Sequence, residues 1–218
     1  MKSCIIFLGA PGSGKGTQAE WLSKEMKLEK VSTGDLIRSE IQKGTVFSKK
    51  ISPFILQGKL VPDRHIFSLL KKKLAPLFGM GFILDGYPRN YNQAIWFDKF
   101  LSNYPDILQM VFYLNLKLPT LISRVCGRRI CDNCKKIYHI KFFPTKDNVY
   151  CDSCGGKLTL RIDDNKEMVS IRYGIFKKLI RPVITFYGDR IHEVDAEQSQ
   201  WLVSQEIKKY LSHDHFKN

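Results

Sequence analysis

A glycine-rich segment near the beginning of the chain has the residue types and the spacing of a phosphate-binding loop. Residues 9–15 read GAPGSGK, follow a short apolar run and precede a segment of helical character. Glycines let the backbone curl so that several N–H groups point at phosphate oxygens, and Lys15 can then reach the β- and γ-phosphates. The segment therefore predicts a strand, a loop and a helix that together bind a nucleoside triphosphate.

The position after this lysine departs from the common pattern. Phosphate loops usually carry at this position the serine or threonine whose hydroxyl ligates magnesium. Here the position holds Gly16, and the next hydroxyl belongs to Thr17. Asp85 ends an apolar run and is the candidate carboxylate for holding magnesium or its water shell. An aspartate at the end of a strand can also serve only as a turn former. Pro88 and Arg89 follow Asp85, and a rigid turn before an arginine can aim a guanidinium at an acceptor phosphate. This combination favours a functional role for Asp85.

Four cysteines form two Cys-x-x-Cys pairs in the second half of the chain. They are Cys131, Cys134, Cys151 and Cys154. Two intervening residues let both thiolates of a pair face one ion, so the pattern predicts a tetrahedral structural zinc with no open position for catalysis. Iron or another thiophilic ion is also compatible with four thiolates. His139 lies nearby in sequence, and we expect it to be a surface or hydrogen-bonding residue and not a ligand.

Apolar runs and helical segments alternate along the chain. Strand-length runs occupy residues 2–9, 81–84, 109–116 and 191–194, and helix-compatible sequence such as 91–101 separates them. Such alternation predicts an α/β fold with a parallel sheet flanked by helices.

Two stretches interrupt this alternation and are predicted to be inserted lobes. Residues 32–63 contain short helical pieces bounded by Gly44, Pro53, Gly58 and Pro62. Residues 127–164 lack long helical periodicity and surround the four cysteines, which predicts a small β lobe.

The composition fits one sizeable core and a preference for anionic partners. The 218 residues are 44% hydrophobic, and 35 Lys and Arg against 21 Asp and Glu give a net charge of +14. Several arginines fall beside glycine-rich turns, which favours separate phosphate clamps over a nucleic-acid groove. No apolar run reaches the roughly 18 residues that a membrane span requires. We therefore expect a cytoplasmic protein with no nucleic-acid or membrane partner.

Taken together, these motifs resemble adenylate kinases of the long-lid, zinc-bearing bacterial type. The likeness extends from Ile5 to about Glu206. It rests on the segments 9–17, 32–35, 58–63, 85–89 and 124–129, on the cysteine lobe, and on Arg38, Gln93, Arg161, Asp163, Asp164 and Arg172. The resemblance implies a P-loop nucleoside monophosphate kinase fold. Its core would be residues 1–31, 64–126 and 165–218, its AMP-binding flap residues 32–63, and its zinc-bearing lid residues 127–164.

The resemblance also implies an activity and a set of site residues. A monomer would transfer the γ-phosphoryl group of ATP, bound with Mg²⁺, directly to AMP and give two ADP. The implied ATP-binding residues are Gly12, Ser13, Gly14, Lys15, Gly16, Thr17, Arg124, Arg128, Ile137, Tyr138 and Gln198. The implied AMP-binding residues are Thr33, Arg38, Lys59, Leu60, Val61, Gly86, Tyr87, Pro88, Arg89, Gln93, Arg161 and Arg172. The catalytic set is Lys15, Asp85, Arg89, Arg128, Arg161 and Arg172, while Asp163 and Asp164 would orient the lid.

Two positions depart from the family pattern. Arg64 stands where an acidic residue is common, and Ala196 stands where glycine is usual, beside the loop expected to meet adenine near Gln198. Neither position would touch the phosphates. We therefore expect these departures to affect affinity more than the reaction.

Two other functions stay open from the residues. A kinase acting on UMP or CMP would need the same phosphate-binding residues. A zinc-ribbon nucleic-acid-binding protein would also be basic with paired Cys-x-x-Cys motifs, but it would not require the phosphate loop. Thr33 and Gln93 favour AMP, because by the resemblance Thr33 lines the adenine pocket, and the Gln93 amide can both donate to and accept from adenine.

Overall fold

Five parallel strands form the central sheet of the computed structural model, which describes residues 2–57, 59–161 and 164–215. The strands of the chain are β1 (Lys2–Gly9), β2 (Glu29–Ser32), β3 (Phe82–Asp85), β4 (Ile107–Asn115), β5 (Arg128–Cys131), β6 (Ile137–His139), β7 (Leu158–Thr159) and β8 (Ile191–Asp195). The central sheet has the order β2-β3-β1-β4-β8. The predicted parallel sheet is confirmed.

Helices cover both faces of this sheet. They are α1 (Lys15–Met26), α2 (Thr33–Gln42), α3 (Val46–Leu56), α4 (Asp63–Leu74), α5 (Tyr91–Leu101), α6 (Leu118–Cys126), α7 (Lys166–Tyr187) and α8 (Gln200–His215). Several begin with a side-chain cap: Ser32 accepts a hydrogen bond from the Asp35 amide, and Asn90 accepts one from the Gln93 amide. Such caps satisfy amides that have no partner within the helix and so fix where each helix starts.

Strand β1 is buried on both faces, and its side chains divide the core in two. Cys4, Ile6 and Leu8 pack with α2 to α5 and the second half of α7. Ile5 and Phe7 point to the other face, where α1, α6 and α8 cover them. A continuous apolar run is therefore required here, because successive side chains of a strand alternate between faces that are both covered.

The parallel register brings several strand ends to one edge of the sheet. Phe7 pairs with Asp85, and Ser32 pairs with Asp85 from the other side. Since all strands run the same way, the loop after β1, the start of α2 and the segment after β3 emerge at this edge. In parallel α/β sheets the carboxyl edge is where ligands bind.

The segment between β2 and α4 contains two helices, as its short helical pieces predicted, but one predicted boundary is wrong. Pro53 lies inside α3 and does not end it. A proline removes one backbone hydrogen bond from a helix. The loss is offset by packing, because Ile51 is fully buried and Phe54 and Ile55 pack against the same core cluster. Gly58, the next predicted boundary, lies outside the described residues.

The cysteine-rich segment forms a separate antiparallel sheet with the strand order β6-β5-β7. This arrangement confirms the predicted small β lobe. In the described part of the chain, no helix combines the length and the apolar character that a membrane crossing requires.

Gly81 gives a test of how the sheet is closed at its amino edge. Its φ is +91°, and a Cβ there would lie 2.6 Å from the Ser3 carbonyl oxygen and 2.8 Å from the Ser3 nitrogen. Gly81→Ala should lower the free energy of unfolding by at least about 2 kcal/mol, because it adds both backbone strain and a clash with a buried strand.

Urea unfolding measures this loss, and Gly79→Ala is the matched control. A Cβ at Gly79 would meet no heavy atom within 4 Å. The control should stay close to the wild type. Equal stability of the two variants would contradict the stated packing at Gly81.

Candidate active site

A cleft of about 860 Å³ opens at the carboxyl edge of the central sheet. It brings together most of the residues that the sequence nominated from distant segments. Those that line it are Gly12, Gly14, Lys15, Gly16, Thr17, Arg38, Lys59, Leu60, Asp85, Gly86, Pro88, Arg89, Arg124, Arg128, Ile137, Tyr138, Arg161, Arg172 and Gln198. A smaller adjoining pocket adds Thr33, Val61, Tyr87 and Gln93.

The loop between β1 and α1 has the backbone shape that anion binding requires. Gly12 and Gly14 have φ of +90° and +95°, a region that glycine enters without steric cost. A Cβ at Gly12 would lie 2.2 Å from the Val125 side chain, so the loop packs against α6. Gly14 has no side chain to cap α1, and the Thr17 amide already donates to the Gly14 carbonyl, so the amides of Lys15 and Gly16 are left for an anion. Ser13 is buried, and its amide donates to the Ala10 carbonyl.

Lys15 folds back over this loop. Its Nζ donates to the carbonyl oxygens of Gly9 at 2.8 Å and Ala10 at 2.7 Å. Burial lowers the pKa of Lys15 to about 8; the nearby Asp85 carboxylate opposes this shift, and neighbouring arginines add to it. Burying the charged amine in this site therefore raises the free energy of the folded protein, and a bound anion would lower it again.

The arginines of the cleft crowd one another as well. Arg128 donates to buried Asp164 through two nitrogens, with Nε at 2.6 Å from Oδ2 and Nη2 bonded to Oδ1. Burial, followed by the charges of Arg128 and Arg38, lowers the pKa of Arg161 to about 10. The arrangement concentrates positive charge where several phosphate groups would fit. Asp163, the other residue expected to orient the lid, lies outside the described residues.

The carboxylate of Asp85 lies beside the phosphate loop. A Cβ built on Gly16 would be 3.2 Å from its Oδ2, so a serine or threonine at this position would crowd the carboxylate. Thr17, the next residue, also lines the cleft. Carboxylate and hydroxyl oxygens are ligands that Mg²⁺ prefers, so this corner has a suitable donor set for that ion.

The acceptor side of the cleft is organised around the turn after β3. The Thr33 hydroxyl donates to the Gly86 carbonyl at 2.9 Å, and Arg89 Nε donates to the same oxygen at 2.8 Å. Arg38 forms an ion pair with Asp35 in the first turn of α2. These contacts hold two guanidinium groups along one wall of the cleft.

Gln93 is buried at the beginning of α5, and both ends of its amide have partners. Its Oε1 accepts from the Arg89 backbone amide at 2.7 Å, and its Nε2 donates to Asp63 Oδ1 at 2.7 Å. The predicted base-reading side chain is therefore held in one orientation by the backbone amide of Arg89, a residue nominated for its guanidinium, and by Asp63, which was not nominated as a site residue.

The loop after β8 is tied to the first turn of α6. Glu197 accepts from the Lys117 amide and from the Thr120 hydroxyl, each at 2.7 Å, so a negative charge lies at the amino end of that helix. Arg124, in the last turn of α6, donates to the Gln198 carbonyl at 3.3 Å. Sequence reasoning missed Glu197, because the contact joins residues that are far apart in the chain.

The two departures from the family pattern fit their surroundings. Ala196 is buried, and its amide donates to the Asn115 carbonyl at 2.9 Å. The methyl group of alanine is therefore accommodated while the hydrogen bond that joins this loop to β4 is kept. Arg64 lies on α4 with an exposed side chain.

The two residues of strand β6 that were predicted to contact the nucleotide lie in different surroundings. Ile137 is 40% exposed and borders the cleft, whereas Tyr138 is 2% exposed and stacks on Phe143. The Tyr138 hydroxyl lies 3.2 Å from Cys151 Sγ, so this side chain belongs to the interior of the lobe. His139 accepts hydrogen bonds from backbone amides through Nδ1, as expected of a hydrogen-bonding residue.

An apolar wall of the cleft was not anticipated from the sequence. It comes from one face of α7, where Phe176 and Ile180 are one helical turn apart, and from Phe142 in the lobe. The only sequence signal is the spacing of four residues between apolar side chains of a helix. That spacing indicates an apolar helix face, but the same pattern occurs whether the face packs against the protein core or lines a ligand cleft.

The four cysteines converge on one point. Their Sγ atoms all lie within 4.8 Å of one another, with Cys131 and Cys154 at 3.4 Å and Cys134 and Cys151 at 3.6 Å. Zinc–sulfur bonds of about 2.3 Å in a tetrahedron place sulfur atoms about 3.8 Å apart. The donor set and its dimensions therefore fit a tetrahedral metal ion.

Comparison with known proteins agrees with this geometry. The family model described as adenylate kinase matches residues 7–192. A protein of Borrelia recurrentis named adenylate kinase is 40% identical over 211 residues, which cover 95% of this chain and 96% of that protein. One of Archaeoglobus fulgidus with the same name is 37% identical over 210 residues, covering 95% of this chain and 97% of that protein.

The lowered pKa of Lys15 predicts how stability depends on pH. A lysine whose folded-state pKa lies below its unfolded value of 10.5 opposes folding at neutral pH, and this opposition disappears as pH rises from 8 to 10.5. Without nucleotide, Lys15→Met should be more stable than the wild type at pH 7 by about 2 kcal/mol, less than the full shift implies because the amine borders an open cleft.

Urea unfolding at several pH values between 7 and 10.5 tests this. The difference between the two proteins should shrink towards the alkaline end. Lys24→Met serves as the control, because Lys24 lies on the same helix with a side chain that is 77% exposed. A stability difference for Lys15→Met that is constant across the range would contradict the stated cause.

Proposed function

Because the chain belongs to the adenylate kinase family of phosphotransferases, we propose that its cleft transfers the γ-phosphoryl group of ATP to AMP in one in-line step. The observation that carries this proposal is the set of crowded cations, Lys15, Arg128 and Arg161 among them, around a loop with the backbone shape for phosphate. Transferring a phosphoryl group requires positioning and charge neutralisation more than covalent chemistry.

The donor nucleotide is proposed to lie over the phosphate loop. The free amides at the start of α1 and the Lys15 amine would hold its β- and γ-phosphates. Its base would lie between Arg124 and the loop around Gln198, which are joined to each other by a hydrogen bond. Ile137 of the lobe would then cover the base from above.

Asp85 and Thr17 are proposed to hold the magnesium ion that accompanies ATP, directly or through its water shell. When bound, this ion neutralises negative charge on the phosphate oxygens. Asp85 is suited to that position because the absence of a side chain at Gly16 lets its carboxylate approach the loop.

The acceptor is proposed to occupy the wall formed by Arg38, Arg89 and the small pocket at Thr33 and Gln93. A monophosphate oxygen is already an anion, so attack on the γ-phosphorus needs no general base. Arg38 and Arg89 would align this oxygen, while Arg161 and Arg172 would lie between the phosphates of donor and acceptor. Alignment of the two reactants removes much of the entropic part of the barrier.

Closure of the two inserted segments is proposed to keep water out. Residues 32–63 would close over AMP and residues 127–164 over ATP, on a core of residues 1–31, 64–126 and 165–218. Without closure, water would compete with AMP for the phosphoryl group; the lid of adenylate kinase is a standard example of this kind of closure. The ion pair between Arg128 and Asp164 supports such a role, because it lies where the cysteine lobe joins the core.

The four-cysteine cluster is proposed to hold one zinc ion with a structural role. Four thiolates leave no coordination position for water, so the ion would hold the lobe together without taking part in the reaction. Thiolate ligands favour a reducing compartment, which supports a cytoplasmic location. We further propose that the protein is a monomer, as its resemblance implies. Its cationic site lies inside a cleft of nucleotide size, which supports a nucleotide and not a nucleic acid as the partner.

The activity is tested by a side-by-side acceptor assay. With saturating MgATP, kcat/KM for AMP should exceed that for UMP, CMP or GMP by at least about a hundredfold, because a base that lacks the matching donor and acceptor leaves buried groups unpaired. Lys15→Met should lose at least about a hundredfold in kcat. If UMP or CMP were used as well as AMP, the proposed acceptor would be wrong.

The structural zinc is tested by removing one ligand. Cys134→Ser should reduce the zinc content from one ion per chain towards zero and make the lobe of residues 127–164 sensitive to protease, while the core keeps its far-ultraviolet dichroism. Cys126→Ser is the control, since Cys126 lies outside the cluster. Unchanged metal content and protease resistance in Cys134→Ser would overturn the assignment.

A further inference from the structure

Gln93 lies between two groups of opposite hydrogen-bonding character. The Arg89 backbone amide donates to Oε1, and the Asp63 carboxylate accepts from Nε2, both at 2.7 Å. A carboxylate has no hydrogen to donate, and a backbone amide nitrogen accepts none. Turning the Gln93 amide over would therefore set oxygen against oxygen and N–H against N–H. Because Gln93 is 1% exposed, water offers no substitute for either lost bond.

Asp63 is itself held in place from the start of α5. Asn90 Nδ2 donates to the two Asp63 carboxylate oxygens at 3.0 and 3.2 Å. The other end of the Asn90 side chain, Oδ1, caps α5 by accepting from the Gln93 amide at 2.9 Å. The helix cap thus fixes which end of Asn90 faces Asp63, and Asp63 fixes which end of the Gln93 amide faces it.

The internal bonds leave Gln93 with a defined set of unused groups. A side-chain amide has two lone pairs and two N–H bonds, and each internal contact uses one of them. One acceptor on Oε1 and one donor on Nε2 remain for a ligand in the small pocket. Adenine offers an exocyclic amine that donates and a ring nitrogen that accepts, which matches this pair. Hypoxanthine and guanine have a carbonyl and a ring N–H at these positions, the reverse arrangement.

We propose that Asp63 is a specificity-determining positioning residue, which selects a 6-aminopurine monophosphate over 6-oxopurine monophosphates by fixing the orientation of the Gln93 amide. The proposal rests on the proposed function, in which Gln93 reads the acceptor base. It extends that function to a residue that does not touch the base and acts only through its partner. A 6-oxopurine would require the turned-over amide, which Asp63 and the Arg89 amide both oppose.

The test compares AMP with IMP as acceptors at saturating MgATP. These two monophosphates differ only in the donor and acceptor pattern of the edge that Gln93 would read. Asp63→Asn introduces an amide that can donate to a turned-over Gln93, so one of the two groups that oppose the turn is lost. The ratio of kcat/KM for AMP to that for IMP should fall by at least about tenfold in this variant.

Asp98→Asn is the matched control. It removes a carboxylate from the same helix as Gln93, where Asp98 pairs with Arg190 at the surface. This control should keep the wild-type acceptor ratio. General destabilisation by Asp63→Asn would lower both rates and leave their ratio unchanged. Asp63→Ser repeats the test with a shorter side chain if Asp63→Asn does not fold.

Gln93→Ala separates the possible outcomes. If this variant loses the preference for AMP while the folded Asp63 variants keep the wild-type ratio, the role of Asp63 is overturned and the reading of the base by Gln93 stands. If Gln93→Ala keeps the preference, the base is read elsewhere, and both the role of Asp63 and that of Gln93 are overturned. Loss of the preference in Gln93→Ala together with a reduced ratio in the Asp63 variants supports the proposal.

Discussion

The burial of several neighbouring cations is the constraint on which the arrangement of this site depends. Burial and neighbouring positive charges lower the pKa of both Lys15 and Arg161. Charges so close together raise the free energy of the unliganded protein, and the parallel sheet and its helices hold them in place. A ligand with several negative charges lowers this free energy. Part of the binding energy of a nucleotide pair is therefore available to draw the inserted segments together.

The sequence predicts the parts of the site that depend on local geometry. The glycine spacing before Lys15 determines the loop, and the apolar runs determine the strands, because each is a property of a few consecutive residues. The spacing of the cysteine pairs likewise determines each half of the cluster around Cys131 and Cys151. That these halves meet follows from the register of the small sheet, which pairs Cys131 with Leu158.

The parts that the sequence did not predict depend on contacts between distant segments. Glu197 accepts a hydrogen bond from the amide of Lys117, 80 residues earlier and next to the start of α6, and no local pattern marks such a pair. Asp63 looks like an ordinary first-turn residue of α4 until its contact with Gln93 is known. Pro53 was expected to end a helix because its missing N–H is a local property, whereas the packing that keeps α3 intact is a tertiary one.

Arg128 and Asp164 have a consequence for how this architecture can change over evolutionary time. They lie next to the two points where the chain leaves the core for the cysteine lobe and returns from it, and their paired hydrogen bonds hold these points together. The two ends of the lobe are therefore held together by a contact that does not involve the cysteines. A shorter segment between Arg128 and Asp164 that keeps this pair would leave the two junction points at the same separation. The segment that carries the cysteines can thus change in length while the two points where it joins the core stay together.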